Sequence, residues 1–247
     1  MRLQLATWPE VTEYLTTHRG VILPIGSTEQ HGPSALVGTD AITAETVAWE
    51  VGAALNVYVA PTMAVGMAHH HMAFAGSMTL RPSTMIAMIR DHVVSLSAHG
   101  FRRFLFINGH GGNIPTIQSA FYEIYEEQRA THGANAPDIQ CGLVNWFNSP
   151  PVVEAARRYF GDAEGGHATP SEVAVTWHAY PDQIRDVPLN PPVAPDGRFT
   201  DWRSLRANFP DGRMGSNPAL ATKELGAEFL RLARDYVVKT QADFLAG

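Results

Sequence analysis

Glu29, His31 and Asp40 crowd metal-ligating chemistry into one short stretch, as Gly26-Ser27-Thr28-Glu29-Gln30-His31-Gly32 followed by Gly38-Thr39-Asp40. Glu29 and His31 are one residue apart, a spacing that in extended backbone turns both side chains to the same side, and Asp40 is near enough in sequence to fold back on them. His110 stands alone as a strong ligand in the glycine-rich Asn108-Gly109-His110-Gly111-Gly112-Asn113, and a last pair, His167 and Glu172, lies in Gly166-His167-Ala168-Thr169-Pro170-Ser171-Glu172. Mixed carboxylate and imidazole donors without thiolates suit zinc, manganese or iron, and a carboxylate able to bridge makes two divalent ions the natural complement. His69-His70-His71 also invites a metal reading, but consecutive side chains diverge, so at most one or two of the three could serve a single ion.

Each of these residues has a plainer role when taken alone. Asp40 reads first as the N-cap of the helix that follows. Glu172 stands three residues after Thr169, with Pro170 between them, which is a capping box with proline at the first helical position. The glycines around His110 have the composition of a phosphate loop, but neither the G-x-G-x-x-G spacing nor a following Lys-Ser/Thr is present. The plain roles weaken in combination, because all six residues fall just past strand ends or at helix starts, and unrelated caps have no reason to choose one rim.

The elements that must position them follow from apolar patterning. Val21–Ile25, Val57–Ala60, Phe104–Ile107 and Ile139–Trp146 read as strands, too uniformly apolar for a half-exposed sheet. Helices are expected over Pro9–Thr17 with Thr7 as cap, Ala41–Leu55, Thr84–Ala98 capped by Ser83, Pro115–Arg129, Val152–Tyr159 and Ala219–Phe244, with a further helix after Thr169. Residues 187–218 read as an irregular, proline-rich excursion of the kind that forms lids or subunit contacts. Alternating strands and helices predict a single domain over residues 1–247, a three-layer α/β/α sandwich on a mostly parallel sheet.

Composition bounds the partners. Apolar residues make up 45% of the 247, charged residues 17%, and the net charge is −6. No clustered basic stretch is available for a nucleic-acid backbone. No run approaches the ~18 apolar residues of a membrane span, and the N-terminus has no secretory pattern. The single cysteine, Cys141, excludes an internal disulfide, reads as core and fits a reducing cytoplasm.

The ordered set of motifs, spread over nearly the whole chain, resembles the creatininase (creatinine amidohydrolase) family. The matching pieces are the Gly26–Gly32 and Gly38–Asp40 stretches, His71-Met72-Ala73-Phe74-Ala75-Gly76, the Asn108–Asn113 loop, His167 with Glu172, and the late Gly215–Gly226 stretch. The resemblance implies a binuclear metal hydrolase that cleaves a linear or cyclic amide C–N bond of a small, non-peptide molecule. Glu29, Asp40 and His110 would hold one ion, and His31 with bridging Asp40 the other. Creatininase completes its second site with a glutamate two residues after the loop histidine; that position is Gly112 here, and Glu172 is the substitute. His167 matches the proton-transfer histidine, so His167 and Glu172 are the expected catalytic pair. Trp146 lies near the position of a substrate-covering aromatic residue, and His71 joins it as a substrate contact. The double-glycine loop is shared with formamide-hydrolysing and peptide-processing relatives, and the family's habit implies a homo-oligomer, a hexamer in creatininase. Two rivals from other classes are a non-catalytic metal-dependent binding protein, which has no chemical need for His167, and a binuclear phosphoesterase, disfavoured by the lack of Arg or Lys beside the ligand segments.

Overall fold

The computed structural model describes all 247 residues. Its apolar runs pair as parallel strands, β1 (Gly20–Ile25), β2 (Tyr58–Val59), β3 (Arg103–Asn108) and β4 (Gln140–Asn145), in the order β2-β1-β3-β4. The register places Ile25 opposite Asn108 and Asn108 opposite Asn145, so three strands end level with one another. Parallel strands need crossovers, and helices supply them: α2 (Thr39–Leu55), α3 (Pro82–His99) and α4 (Ile114–His132).

Side chains alternate across a strand, and each strand face finds a helical layer. Ile22, Leu105, Ile107 and Val144 point to the layer of α2, α5 (Pro150–Phe160), α6 (Pro170–Ala179) and α8 (Lys223–Ala246), packing with Val47, Ala155, Val173 and Phe229. Val21, Leu23, Phe104 and Phe106 point the other way, to Met85, Ile89, Ile117 and Ile124 of α3 and α4. The fold is therefore the three-layer α/β/α sandwich expected from the strand patterning. The N-terminal helix α1 (Trp8–Tyr14) closes the second core with Tyr14 and has Thr7 at the expected cap position, where its N–H donates to Glu10 Oε2 at 2.6 Å.

Several boundaries move for identifiable reasons. Helix α3 begins at Pro82 with Arg81 at the cap position, since proline occupies the first helical position and leaves Ser83 inside the first turn. Helix α8 begins at Lys223 because the Thr222 side chain accepts from the Leu225 N–H; the preceding Pro218–Leu220 forms a separate 3-10 turn. Asp40 is not an N-cap. Helix α2 starts at Thr39 after Gly38, so Asp40 lies within the first turn and its carboxylate is free for other partners. The excursion over 187–218 contains the helix α7 (Trp202–Asn208), held at its start by a reciprocal Asp201–Ser204 capping box.

Candidate metal centre

The ligand-type residues meet at the carboxyl ends of the parallel strands, where helices begin and backbone turns leave side chains free to converge. The loop leaving β1 carries Glu29, Gln30 and His31; the first turn of α2 carries Asp40; the loop leaving β3 carries His110; and the first turn of α6 carries Glu172. Glu29 is fully buried, and His31, Asp40, His71, His110 and His167 are all less than 9% exposed.

Three donor sets form, each with its ligand atoms within 4.8 Å of one another: Glu29, Asp40 and His110; His31, Asp40 and Glu172; and Glu29, His31 and His167. Asp40 belongs to the first two. Its Oδ1 is 3.0 Å from His31 Nε2, and its Oδ2 is 3.1 Å from His110 Nδ1. His110 Nε2 is 3.3 Å from Glu29 Oε2, and His31 Nε2 is 3.9 Å from Glu172 Oε1. Backbone carbonyls set the tautomers, because a carbonyl only accepts. His31 Nδ1 donates to the Glu29 carbonyl at 3.0 Å, and His110 Nε2 donates to the Met67 carbonyl at 3.0 Å. Neutral His31 therefore presents Nε2, and neutral His110 presents Nδ1, to the centre.

The donor chemistry fits divalent cations. Both Glu29 carboxylate oxygens and Asp40 Oδ2 are buried without a hydrogen-bond donor. Unpaired buried carboxylate oxygens are costly unless a cation satisfies them. In the metal-free chain, protons take that part. Burial lowers His31, but the Asp40 carboxylate outweighs it, with Glu172 and Glu29 adding, and pushes His31 up to about 10. Burial is likewise overcome at His110 by Glu29 and Asp40, raising it to about 9. Burial raises Asp40, but His31 and His110 outweigh it and hold the carboxyl well below the usual range. Burial pushes Glu172 up to about 7 despite the opposing pull of His31. The remaining histidines behave differently. Burial, then the neighbouring His31 and His71, hold His167 well below its ordinary value. Burial with His31 and His110 takes His71 down to about 3.

Glu172 faces two sets of partners. Its Oε1 accepts from the Thr169 N–H at 2.6 Å while Thr169 Oγ1 accepts from the Glu172 N–H at 3.3 Å, so the capping box is present, and the same carboxylate belongs to the His31–Asp40 donor set. Gly112, where creatininase carries a glutamate, has no room for a side chain: a Cβ there would run into the His110 imidazole and stand 2.9 Å from the Met67 carbonyl oxygen.

A cleft of about 790 Å³ opens onto these groups, its wall including Phe147, Arg157, Glu164 and Phe199. Trp146 does not cover it. That residue is fully buried, packs in the core and donates from its indole to Thr43 Oγ1 at 3.2 Å, because it follows β4 immediately and turns inward; its neighbour Phe147 lines the cleft instead. His71 is at the cleft's inner end, 1% exposed, with Nε2 3.1 Å from Glu29 Oε1. His70 also lines the cleft, its ring stacked 5.2 Å from Phe199 of the excursion. Cys141 is half-buried on β4, and burial pushes its thiol up to about 12, away from nucleophilic use. Glu164, Arg157 and Phe199 had no signal in the sequence pattern. Glu164 is raised by burial, accepts from the Ser171 hydroxyl and leaves Oε2 without a donor. Arg157 puts a guanidinium on the cleft wall from α5, although none adjoins the ligand segments in sequence.

Comparison with known proteins agrees with this architecture. Over 188 residues the chain is 26% identical to a mycofactocin precursor peptide peptidase of Mycobacterium ulcerans, a match covering 72% of this chain and 62% of that protein. Over 177 residues it is 26% identical to a 3-dehydro-scyllo-inosose hydrolase of Thermotoga maritima, covering 70% of this chain and 54% of that one. The chain thus spans less than two thirds of the length of these curated relatives. A solved manganese creatininase superposes with a TM-score of 0.84 at 20% identity, covering 99% of this chain and 98% of that one, which establishes the shared fold. The family model described as creatinine amidohydrolase matches residues 4–240, and the chain belongs to the creatininase family.

Proposed function

We propose that this protein is a binuclear metal-dependent hydrolase that cleaves an amide C–N bond. The observation that carries the reading is the pair of donor sets sharing Asp40, with the unpaired buried oxygens of Glu29 and Asp40 between them. Glu29, Asp40 and His110 would hold one ion and His31, Asp40 and Glu172 the other. Zinc, manganese or iron bound there would acidify water and polarise a carbonyl oxygen.

The chain's own groups supply the rest. His167 Nε2 is 2.7 Å from the Gln30 carbonyl oxygen and must donate to it, which leaves Nδ1 as the basic atom, 3.8 Å from Glu29 Oε1. Burial keeps this imidazole neutral, so Nδ1 is ready to take a proton from attacking water and pass it to the departing nitrogen, a step typically worth ~10²–10⁴-fold.

One observation favours a peptide or other extended amide over a creatinine-sized ring. The cleft's 790 Å³ lies in the range that holds drug-sized ligands, and the peptide peptidase among the relatives agrees. The test is a turnover screen of the metal-free protein, then of the protein restored with zinc or manganese, against creatinine, formamide and short peptides. Metal-dependent release of an amine or ammonia supports the reading. A protein that binds metal and hydrolyses none of these would return it to the class of metal-dependent binding modules.

A further inference from the structure

Gln30 lies between Glu29 and His31 in sequence, yet its side chain turns away from the metal centre to meet three segments distant in the chain. Its Oε1 accepts from the Gly32 N–H at 2.9 Å, and its Nε2 donates to the Gly212 carbonyl at 2.9 Å. These two backbone groups can act only as donor and acceptor respectively, so they fix which end of the amide is nitrogen. The same Nε2 lies 2.9 Å from His71 Nδ1 and 3.0 Å from His167 Nε2.

Counting hydrogens assigns both rings. His167 Nε2 is also 2.7 Å from the Gln30 carbonyl oxygen, which can only accept, so the His167 proton is on Nε2 and this nitrogen cannot also accept from the amide. The two amide hydrogens then go to Gly212 and His71. His71 Nδ1 must accept, and its own proton stands on Nε2, which is 3.1 Å from Glu29 Oε1 without hydrogen-bond alignment to it. The two imidazoles stack with centroids 4.4 Å apart, so their orientations are set together.

We infer that Gln30 is a positioning residue: through its main-chain carbonyl it holds His167 in the Nε2–H form, and through its side-chain amide it holds His71 in the Nε2–H form against the Glu29 carboxylate. The inference deepens the hydrolase reading by naming what orients its acid–base histidine, and it rests on that reading for its catalytic meaning alone. It also gives the excursion a role. Gly212 has φ +88°, and a Cβ there would fall inside the Gln30 amide, so a glycine lets the excursion close on Gln30. Fully buried Arg213 anchors that turn, donating to the carbonyls of Pro191 at 2.8 Å and Pro192 at 2.7 Å and pairing with Asp211 at 2.8 Å.

The test reads tautomers in the full-length, metal-free chain, with histidine labelled by nitrogen-15 and resonances assigned from single histidine substitutions. Wild-type His71 and His167 should both show the Nε2–H pattern. Gln30→Glu preserves shape but cannot donate, so His71 Nδ1 should gain a proton while His167, held by the main chain, keeps its pattern. With metal restored, the same variant should keep its metal and lose about 10–100-fold in turnover, the usual scale for an orienting partner, with KM changed less than kcat. Gly212→Ala, which displaces the amide without altering any ligand, should likewise perturb His71, and it carries the test should Gln30→Glu not fold. An Nδ1–H pattern for His71 in the wild type, or a His71 pattern unmoved by these substitutions, would overturn the inference. Correct tautomers in a protein without amidase activity would leave it standing and sink the hydrolase reading instead.

Discussion

Glu172→Gln separates the capping role of this side chain from the ligand role proposed for it. Glutamine keeps an oxygen to accept from the Thr169 N–H, now 2.6 Å from Glu172 Oε1, so the capping box survives; Glu172→Ala removes that half of it, while Thr169 Oγ1 still accepts from the residue-172 N–H. Losing that hydrogen bond costs about 1 kcal/mol, which in a chain of this size lowers Tm by roughly 2–4 °C. The metal-free alanine variant should show that loss. The metal-free glutamine variant should match or slightly exceed the wild type, because burial already disfavours the ionised carboxylate and pushes its pKa up to about 7. Metal binding should respond in the opposite way. Either substitution removes the anionic donor from the His31–Asp40 set, and an affinity loss of at least the ~10–100-fold typical of partners one layer further out is expected. The assay pairs thermal unfolding of the metal-free forms with elemental analysis after dialysis. A glutamine variant that retains as much metal as wild type would refute the ligand role and leave Glu172 a cap only.

Other outcomes follow from the same geometry. His167→Ala should retain both ions and lose ~10²-fold or more in turnover, measured with metal content on one preparation; metal loss would move His167 into the Glu29–His31 donor set. In the metal-free chain His31 and His110 have raised pKa values, so their stabilisation is complete below pH 6.5 and is lost as pH climbs through about 9 and 10; Glu172, raised to about 7, acts in the same direction from 4.5 upward. Tm of the metal-free protein should therefore fall from pH 6.5 to 10, while metal affinity, which requires those protons to leave, should rise over the same span; a flat profile in both would contradict the assignment. Val37, Met72 and Met78 are 43%, 46% and 52% exposed on adjoining loops, and a symmetric homo-oligomer that covers them is expected, with light scattering of a monomer at micromolar concentration as the contrary result.

Much of the site was legible because its ligands follow strand ends. Uninterrupted apolar runs place Ile25 and Asn108 at the same edge of a parallel sheet, and residues just beyond them must then share a rim. The capping role of Glu172 was legible from its spacing to Thr169, whereas its candidacy as a ligand came from the resemblance. Trp146 was not, since a residue just past a strand's end can face core or cleft and only the partner Thr43 on α2 decides. Gln30 carried no signal either: apart from Gly32, its side-chain partners lie 41, 137 and 182 residues away. Helix α7 was hidden because Leu205 is its only buried residue, too little for an apolar period to register.

Elemental analysis of the protein purified without chelator, alongside its Asp40→Ala variant, tests the central claim most directly. Asp40 alone is common to the Glu29–His110 and His31–Glu172 donor sets, so the wild type should hold close to two divalent ions per chain and the variant should lose both. An Asp40→Ala protein that keeps two tightly bound ions, or a wild type that saturates at one, would contradict the binuclear centre.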